Sequence, residues 1–596
     1  MSSRNLLFGL ILIVATTLAY QPAWRGKLIW DDDLYLKSAH SSSLVGIWAQ
    51  PKTTQQYHPL VGTFFWIENK LWDDSMLGHH LLNILLHVCS ALLLFKILEQ
   101  LAVPGAWLTA AIFALHPVQV ESVAWLVELK NTLSGFLFFS ALLIYLRFDQ
   151  TRNKLSYFLV LLLFLLGLSA KTIIAVFPIA IFIVIWWKRG RIDWKRDLLP
   201  LVPFIVIADV AGAITGWMEQ NFSAGPGETF NFSIIERFLI AGRLFWFYLG
   251  KLFWPENLMM IYPAWSVSAT VWWQYLFLIA ALALFAGLWL ARPKSRAPFA
   301  GVLWFLLILF PMLGFFNQSF YMSGLGPSHH AAIFRADHFQ YLASIGITAV
   351  LFGWVAAFLN RASRTWRIIG YASCVALLIT VATLTWRQSR LYRDSETMFR
   401  DVVAKNPGSP TAHNNLGSAL TDRGETDEAI VQFRKALEIK PDYQLASYNL
   451  GAALVQQGNV DEAIPHLRAV LRANPNHPRA YYTLANALSK QGDLNEAIAY
   501  YGRALRLTPD FPEAHTNLAN LMLERGNNSG AIEHYREALR LQPNNPQAHY
   551  NLAVGLVRNS EADAAIAELR TALQIDPAYP DAEPLLRDLL ARRKQP

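Results

Sequence analysis

Cysteine is almost missing. Cys89 and Cys374 are the only two in 596 residues, and both lie inside apolar runs, which excludes a disulfide framework and a cysteine-rich metal site. Charge is scarce as well: Asp, Glu, Lys and Arg make up 16% of the chain, where about 25% is usual in soluble domains. The positive excess is confined to the front, with 29 Lys and Arg against 18 Asp and Glu in residues 1–390, and 22 against 25 in residues 391–596. Those cations sit in short loops between apolar runs rather than on one soluble face, which argues against a nucleic-acid partner. Also absent are a P-loop, a G-x-S-x-G elbow, an H-E-x-x-H helix and a G-x-G-x-x-G turn after a strand, so the corresponding phosphate, acyl-transfer, zinc and dinucleotide chemistries have no footing. His329-His330 is a lone pair in a glycine-rich loop, and Asn221-Phe222-Ser223 is too short a match to carry weight.

Apolar residues, by contrast, make up 54% of the chain. A bilayer span takes about 20 of them in a row. Eleven candidate runs lie near 5–21, 79–98, 106–124, 132–148, 155–171, 172–187, 198–216, 271–290, 298–316, 338–358 and 366–386. The first resembles a signal peptide, but no small-x-small cleavage pattern precedes Gln21, so an uncleaved span is expected. A further stretch, Phe238 to Trp254, is interrupted by Arg243 and Lys251 and suits a helix lying at the interface. Lys and Arg gather in the loops Arg147 to Lys154, Lys188 to Arg196, Arg292 to Arg296 and Arg361 to Arg367. Eleven spans with a cytoplasmic N-terminus put all four on the cytoplasmic side, as basic loops require. The loops Pro22 to Leu77, Val118 to Asn131, Trp217 to Arg237 and Asn317 to Asp337 then lie outside, together with everything after the last span.

The last third has a beat of its own. Pro407, Pro441, Pro475, Pro509, Pro543 and Pro577 recur every 34 residues, the tetratricopeptide period. Gly424, Gly458, Gly492 and Gly526 keep the same step, as do Ala429, Ala463, Ala497, Ala531 and Ala565. Five full repeats begin near Pro410, Gln444, Pro478, Pro512 and Pro546, a half repeat spans Ser395 to Lys405, and Asp581 to Arg592 reads as a solvating cap. Asn415, Asn449, Asn517 and Asn551 share one position of the first helix, with Thr483 as the exception. An amide donates and accepts, so such a column either grips an acceptor peptide by its backbone or serves only local structure.

Chemistry has few places to sit. Asp31 and Asp32, within Trp30-Asp31-Asp32-Asp33, lie close after the first span. Adjacent carboxylates repel, so the cluster is either solvated, matched by cations or metal-bound, and one of them could accept a proton from an acceptor hydroxyl. His116 and Glu121 lie in otherwise apolar sequence before Glu128, Lys130 and Asn131, and ionisable groups at membrane depth tend to line functional cavities. Lys171 either snorkels or meets a phosphate, and Arg335, in Arg335-Ala336-Asp337-His338, has the same two readings.

In this order the motifs resemble the transmembrane and tetratricopeptide-repeat (TMTC-type) family of O-mannosyltransferase-like proteins, nearest to its bacterial members. The likeness rests on Leu28-Ile29-Trp30-Asp31-Asp32, on Tyr57-His58-Pro59-Leu60, and on His80-Leu81-Leu82-Asn83-Ile84-Leu85-Leu86-His87. It continues through His116-Pro117 to Glu121-Ser122-Val123-Ala124, Trp254-Pro255-Glu256-Asn257-Leu258, Tyr262-Pro263 and Ala336-Asp337-His338-Phe339-Gln340-Tyr341-Leu342. His58 and His338 stand where the family usually carries Arg. The resemblance implies an all-α chain: a polytopic bundle of the C-type glycosyltransferase fold over 1–390, then a tetratricopeptide-repeat α-solenoid over 391–596. It implies inverting transfer of a sugar, a hexose such as mannose, from a polyprenyl phosphate to a protein hydroxyl, with Asp31 or Asp32 as base. Lys130, Lys171, Arg335, His116, Glu121 and His58 are the candidates for the donor phosphate or its cavity, and the asparagine column for the acceptor. The expected partners are the lipid-linked sugar, an acceptor protein and membrane lipid, in a bacterial inner membrane with the repeats in the periplasm. No residue is assigned to a metal, and the resemblance fixes no cofactor, leaving a divalent metal open. A non-catalytic scaffold recruiting proteins through its repeats, or a ligase for lipid-linked glycans, are the alternative functions.

Overall fold

The computed structural model describes residues 3–49, 57–73, 75–218, 232–315 and 335–593. Most of the loops Trp217 to Arg237 and Asn317 to Asp337 fall outside them, as do Asn221-Phe222-Ser223 and His329-His330. Every regular element among the described residues is helical. The chain divides into two compact units, Met1–Asn415 and Leu416–Pro596, so the half-repeat helix Ser395–Lys405 belongs to the first.

Among the described residues of the first unit, seven helices are long and apolar enough to cross a membrane: Met76–Gln100, Leu126–Thr151, Thr172–Arg189, Trp194–Met218, Trp272–Ala291, Ser344–Arg361 and Arg364–Arg393. Four shorter apolar helices, Ser3–Ala19, Ala106–Leu115, Lys154–Ala170 and Ala297–Met312, overlap the remaining four runs. The Phe238 to Trp254 stretch belongs to a helix, Ile234–Phe253, that buries Leu239, Ile240, Leu244, Phe245, Tyr248 and Leu252 and begins with a capping box at Ser233 and Glu236. Its charged residues keep it out of the seven.

Two features order this bundle. Helices Ala297–Leu309 and Ser344–Arg361 touch backbone to backbone, since a Cβ at Gly301 would lie 2.5 Å from the Gly346 carbonyl oxygen and one at Gly346 2.4 Å from that of Gly301. Small residues permit such a crossing where lipid supplies no hydrophobic drive between helices. Three of the four basic loops meet at one end, where Arg152 donates to the Arg196 carbonyl at 2.9 Å, Arg189 pairs with Asp149 and Asp197, and the Arg296 guanidinium lies against Gly190.

The expected third span is shorter than its apolar run. Pro117 ends the helix Ala106–Leu115, and residues 116–128 continue as short turns, Pro117–Gln119, Val120–Ala124 and Leu126–Glu128. Irregular backbone survives at membrane depth only when protein surrounds it, and residues 116–129 are all buried. Similar breaks occur at Lys171, which is extended between two helices, and at Asp337–Gln340 ahead of Ser344–Arg361.

The second unit is a stack of helix pairs that begins within the helix Pro410–Asp422, continues through first helices starting at Gln444, Pro478, Pro512 and Pro546, and is closed by Ala582–Arg593. Gly424, Gly458, Gly492 and Gly526 all have positive φ, between 78° and 98°, and nothing lies within 4 Å of where their Cβ would be. Backbone conformation, not crowding, therefore selects glycine there. The alanine column is the reverse case, with Ala429, Ala463, Ala497, Ala531 and Ala565 each 0% exposed where paired helices close on one another.

Candidate functional site

The breaks in the first unit converge. Trp30, at φ +50°, turns the chain after the first helix so that Asp31 stands just before the helix Asp32–Ser41. The two aspartates then differ sharply. Asp32 is 1% exposed, and both its oxygens are engaged: Oδ2 accepts from the Ile29 N–H at 2.9 Å and Oδ1 from the Val127 N–H at 3.0 Å. Asp31 Oδ1 is buried without a hydrogen-bond partner. Burial pushes the Asp31 carboxyl up to about 6, with Lys130 pulling it down and Glu128 pushing it up.

Next to Asp31 lies a lattice of charge. Glu128, 0% exposed, pairs with Lys130 at 2.9 Å and stands 3.9 Å from both Lys171 and His338. Asn131 joins its members, donating to Glu128 at 2.5 Å and accepting from Lys171 at 2.5 Å. Glu121 ties in the later loop: its Oε2 accepts from the Asp337 and His338 N–H groups at 2.7 and 3.1 Å, and its Oε1 lies 2.9 Å from His338 Nδ1. His58 lies in the same field, and burial, followed by the charges of Lys130 and Lys171, pushes it down to about 3. Its ring is therefore neutral near pH 7.

His116 has another task. Its Nδ1 accepts from the Val118 N–H at 3.3 Å and its Nε2 lies 3.0 Å from the Leu252 carbonyl oxygen, so both ring nitrogens face backbone and the residue serves the turn after Pro117.

Arg335 occupies an aromatic setting. Its guanidinium lies 3.7 Å from the Trp265 ring centroid, with Phe247 at 5.1 Å and Tyr262 at 5.5 Å. Arg243 lies 4.0 Å from the same Trp265 ring. Arg335 is 4% exposed, and its Nε and Nη2 have no hydrogen-bond partner. Burial pushes it down to about 10, which still leaves it charged at neutral pH. Beside it, the Tyr262 hydroxyl donates to the Asp337 carboxylate at 2.9 Å. Two cations therefore share one indole, and the buried Nε and Nη2 of Arg335 are left without a protein partner. Trp265 and Arg243 have no motif to announce them; the only signal in the sequence is a cation interrupting an apolar run.

Asp31, Asp32, His58, Glu121, Lys130 and Lys171 are thus brought together, with Arg335 joined to them through Asp337 and Glu121. Among the described residues, no group of three or more His, Cys, Asp or Glu is placed to hold a metal ion. The helix Met76–Gln100 relates this cluster to the basic loops. Near its start Asn83 bonds Thr132 at 2.8 Å, and just past its end the Leu101 carbonyl accepts from Lys188 at 2.5 Å. A helical rise of about 1.5 Å per residue separates the two points by about 27 Å, close to the hydrocarbon thickness of a bilayer.

In the second unit the asparagine column works between repeats. Asn449 donates to Ser418 at 3.3 Å, Asn517 to Asn486 at 3.0 Å and to the Tyr482 hydroxyl at 3.1 Å, and Asn551 to Asn520 at 3.1 Å. Asn415, in the first unit, accepts from Asn414 at 3.0 Å.

Comparison with known proteins places this chain among relatives of one kind. Tetratricopeptide-repeat models match residues 382–444, 420–488 and 454–521, and a TPR repeat model matches 519–560. Protein O-mannosyl-transferase F38B6.6 of Caenorhabditis elegans is 23% identical over 467 residues, covering 73% of this chain and 63% of that protein. Protein O-mannosyl-transferase TMTC1 of Homo sapiens is 25% identical over 445 residues, covering 66% of this chain and 49% of that protein. These are homologues over most of this chain, which itself spans about half to two thirds of their length. Among solved structures, YrrB, described as a TPR protein with an unusual peptide-binding site, is 23% identical, covers 32% of this chain and 97% of its own, and has a TM-score of 0.28.

Proposed function

We propose that this chain is a multi-pass membrane glycosyltransferase that moves a sugar, mannose by analogy with its relatives' names, from a polyprenyl phosphate onto a hydroxyl of an acceptor protein. The observation that carries the reading is the buried, unpartnered Oδ1 of Asp31 beside a lattice of cations. In the reaction, Asp31 accepts the proton of the acceptor hydroxyl as that oxygen forms its bond to the anomeric carbon. The bond from that carbon to the phosphate oxygen breaks, its electron pair leaves with the polyprenyl phosphate, and the configuration inverts. Arg335 is the best receiver of the developing phosphate charge, because its donors are open, whereas Lys130 and Lys171 already serve Glu128 and Asn131. Asp32 holds the loop through the Ile29 and Val127 N–H groups. The site and the repeats lie on the non-cytoplasmic side, which in a bacterium is the periplasm, and the repeats hold the acceptor.

The test is transfer by the purified protein from polyprenyl-phosphate mannose to a short hydroxyl peptide. Wild-type turnover with inverted product, lost on Asp31→Asn, is the expected result. No transfer to any hydroxyl acceptor, together with undiminished recruitment of proteins through the repeats, would favour the scaffold instead.

A further inference from the structure

The half-repeat helix Ser395–Lys405 lies in the same compact unit as the aspartates. Its N-terminal side holds the acidic loop. Lys27 N–H donates to the Arg393 carbonyl at 2.7 Å, and Ser395 Oγ donates to the Leu28 carbonyl at 3.4 Å. The Trp30 ring sits 5.6 Å from Phe399 and 6.2 Å from Trp125, and Phe399 is 1% exposed. Trp30 has φ +50°, a left-handed backbone that costs a bulky residue about 1–2 kcal/mol and persists only where surroundings impose it. Here those surroundings are two aromatic rings, one from the broken span and one from the half repeat. At its other end the helix holds a second loop: Lys405 Nζ donates to the Leu258 carbonyl at 3.0 Å, and Asn406 Nδ2 to the Ile261 carbonyl at 3.1 Å. That loop leads directly into Tyr262, whose hydroxyl meets Asp337.

We infer that the helix Ser395–Lys405 is a positioning element of the membrane unit, with Phe399 fixing the Trp30 turn that aims Asp31 and Asn406 fixing the loop that delivers Tyr262. The inference rests on the reading of Asp31 as base. A base must be held to a fraction of an ångström, and a misplacement of about 1 Å costs on the order of a hundredfold in rate. Neither Phe399 nor Asn406 touches substrate; both act through the loops they hold.

The test is steady-state transfer by the full-length protein from polyprenyl-phosphate mannose to a short hydroxyl peptide. Phe399→Ala is expected to lower kcat on the order of tenfold to a hundredfold, with both KM values little changed and the acid limb of the kcat profile displaced. Phe399→Leu, which keeps most of the apolar volume, is expected to recover much of the loss. Wild-type kcat and an unmoved acid limb in Phe399→Ala, with Asp31→Asn inactive, would overturn this inference alone. An active Asp31→Asn would overturn the base assignment and this inference with it. Should Phe399→Ala not accumulate as folded protein, Asn406→Ala tests the same helix from its other end: a several-fold fall in kcat at unchanged KM is expected, and an unchanged kcat counts against the proposal.

Discussion

Asp31 and Asp32 are neighbours in sequence and opposites in environment, and their asparagine variants should separate accordingly. Asp31→Asn leaves every backbone bond of the loop in place and should remove transfer by roughly 10²- to 10⁴-fold at unchanged melting temperature. Asp32→Asn presents an amide N–H₂ to one of two backbone donors, Ile29 or Val127. An unmatched buried donor costs about 1–3 kcal/mol, so this variant should melt lower, which thermal unfolding in detergent would register. Acid should act through Asp31 as well. Its carboxyl, raised to about 6 by burial, is the active base only when ionised, so kcat/KM, which reports the free enzyme, should rise through pH 6 and fall below it. An acid limb near pH 4, the range of exposed aspartate, would contradict the assigned burial. Asp31 and Asp32 were legible together in the sequence but not apart. What separates them is the N–H of Val127, 95 residues away, and no local pattern carries that contact.

Helices and repeats follow two kinds of rule. The repeats were readable to the residue, with starts at Pro410, Gln444, Pro478, Pro512 and Pro546, because one unit recurs and each column has one physical demand. The last repeat departs from its glycine column: Ser560 stands 34 residues after Gly526 and takes φ +65°. Ser560→Gly should relieve that conformation and stabilise the array by about 1 kcal/mol, visible as a higher melting temperature. The asparagine column, legible as a column, had an ambiguous purpose. Its amides reach between repeats at Asn449, Asn517 and Asn551, so Asn517→Ala should cost about 1 kcal/mol of stability whether or not a peptide is present. A full-length variant with unaltered melting but weakened transfer to whole proteins would assign the column to the acceptor instead. In the membrane unit, hydropathy located every apolar run but not where helices stop inside them. The turns after Pro117 look as apolar as the spans around them, because buried broken backbone needs the same apolar side chains as a buried helix.

At the scale of the whole molecule, basic loops and acidic cluster lie at opposite ends of Met76–Gln100, about 27 Å apart by helical rise. If the basic end is cytoplasmic, a periplasmic or luminal reporter fused after Pro577 should be active and a cytoplasmic one silent. Protection of the repeats from external protease, in cells without an outer barrier, would invert this orientation. The fold class and the eleven apolar runs were legible because composition changes abruptly along the chain, while the seam between the units was not, since the half repeat has the sequence of the array and the contacts of the bundle. A chimera builder would feel that difference at once. Grafting a foreign repeat array at residue 390 would carry off Phe399 and Asn406 with the discarded portion, whereas a splice in the turn between Asn406 and Pro410 leaves both in the host and cuts no helix.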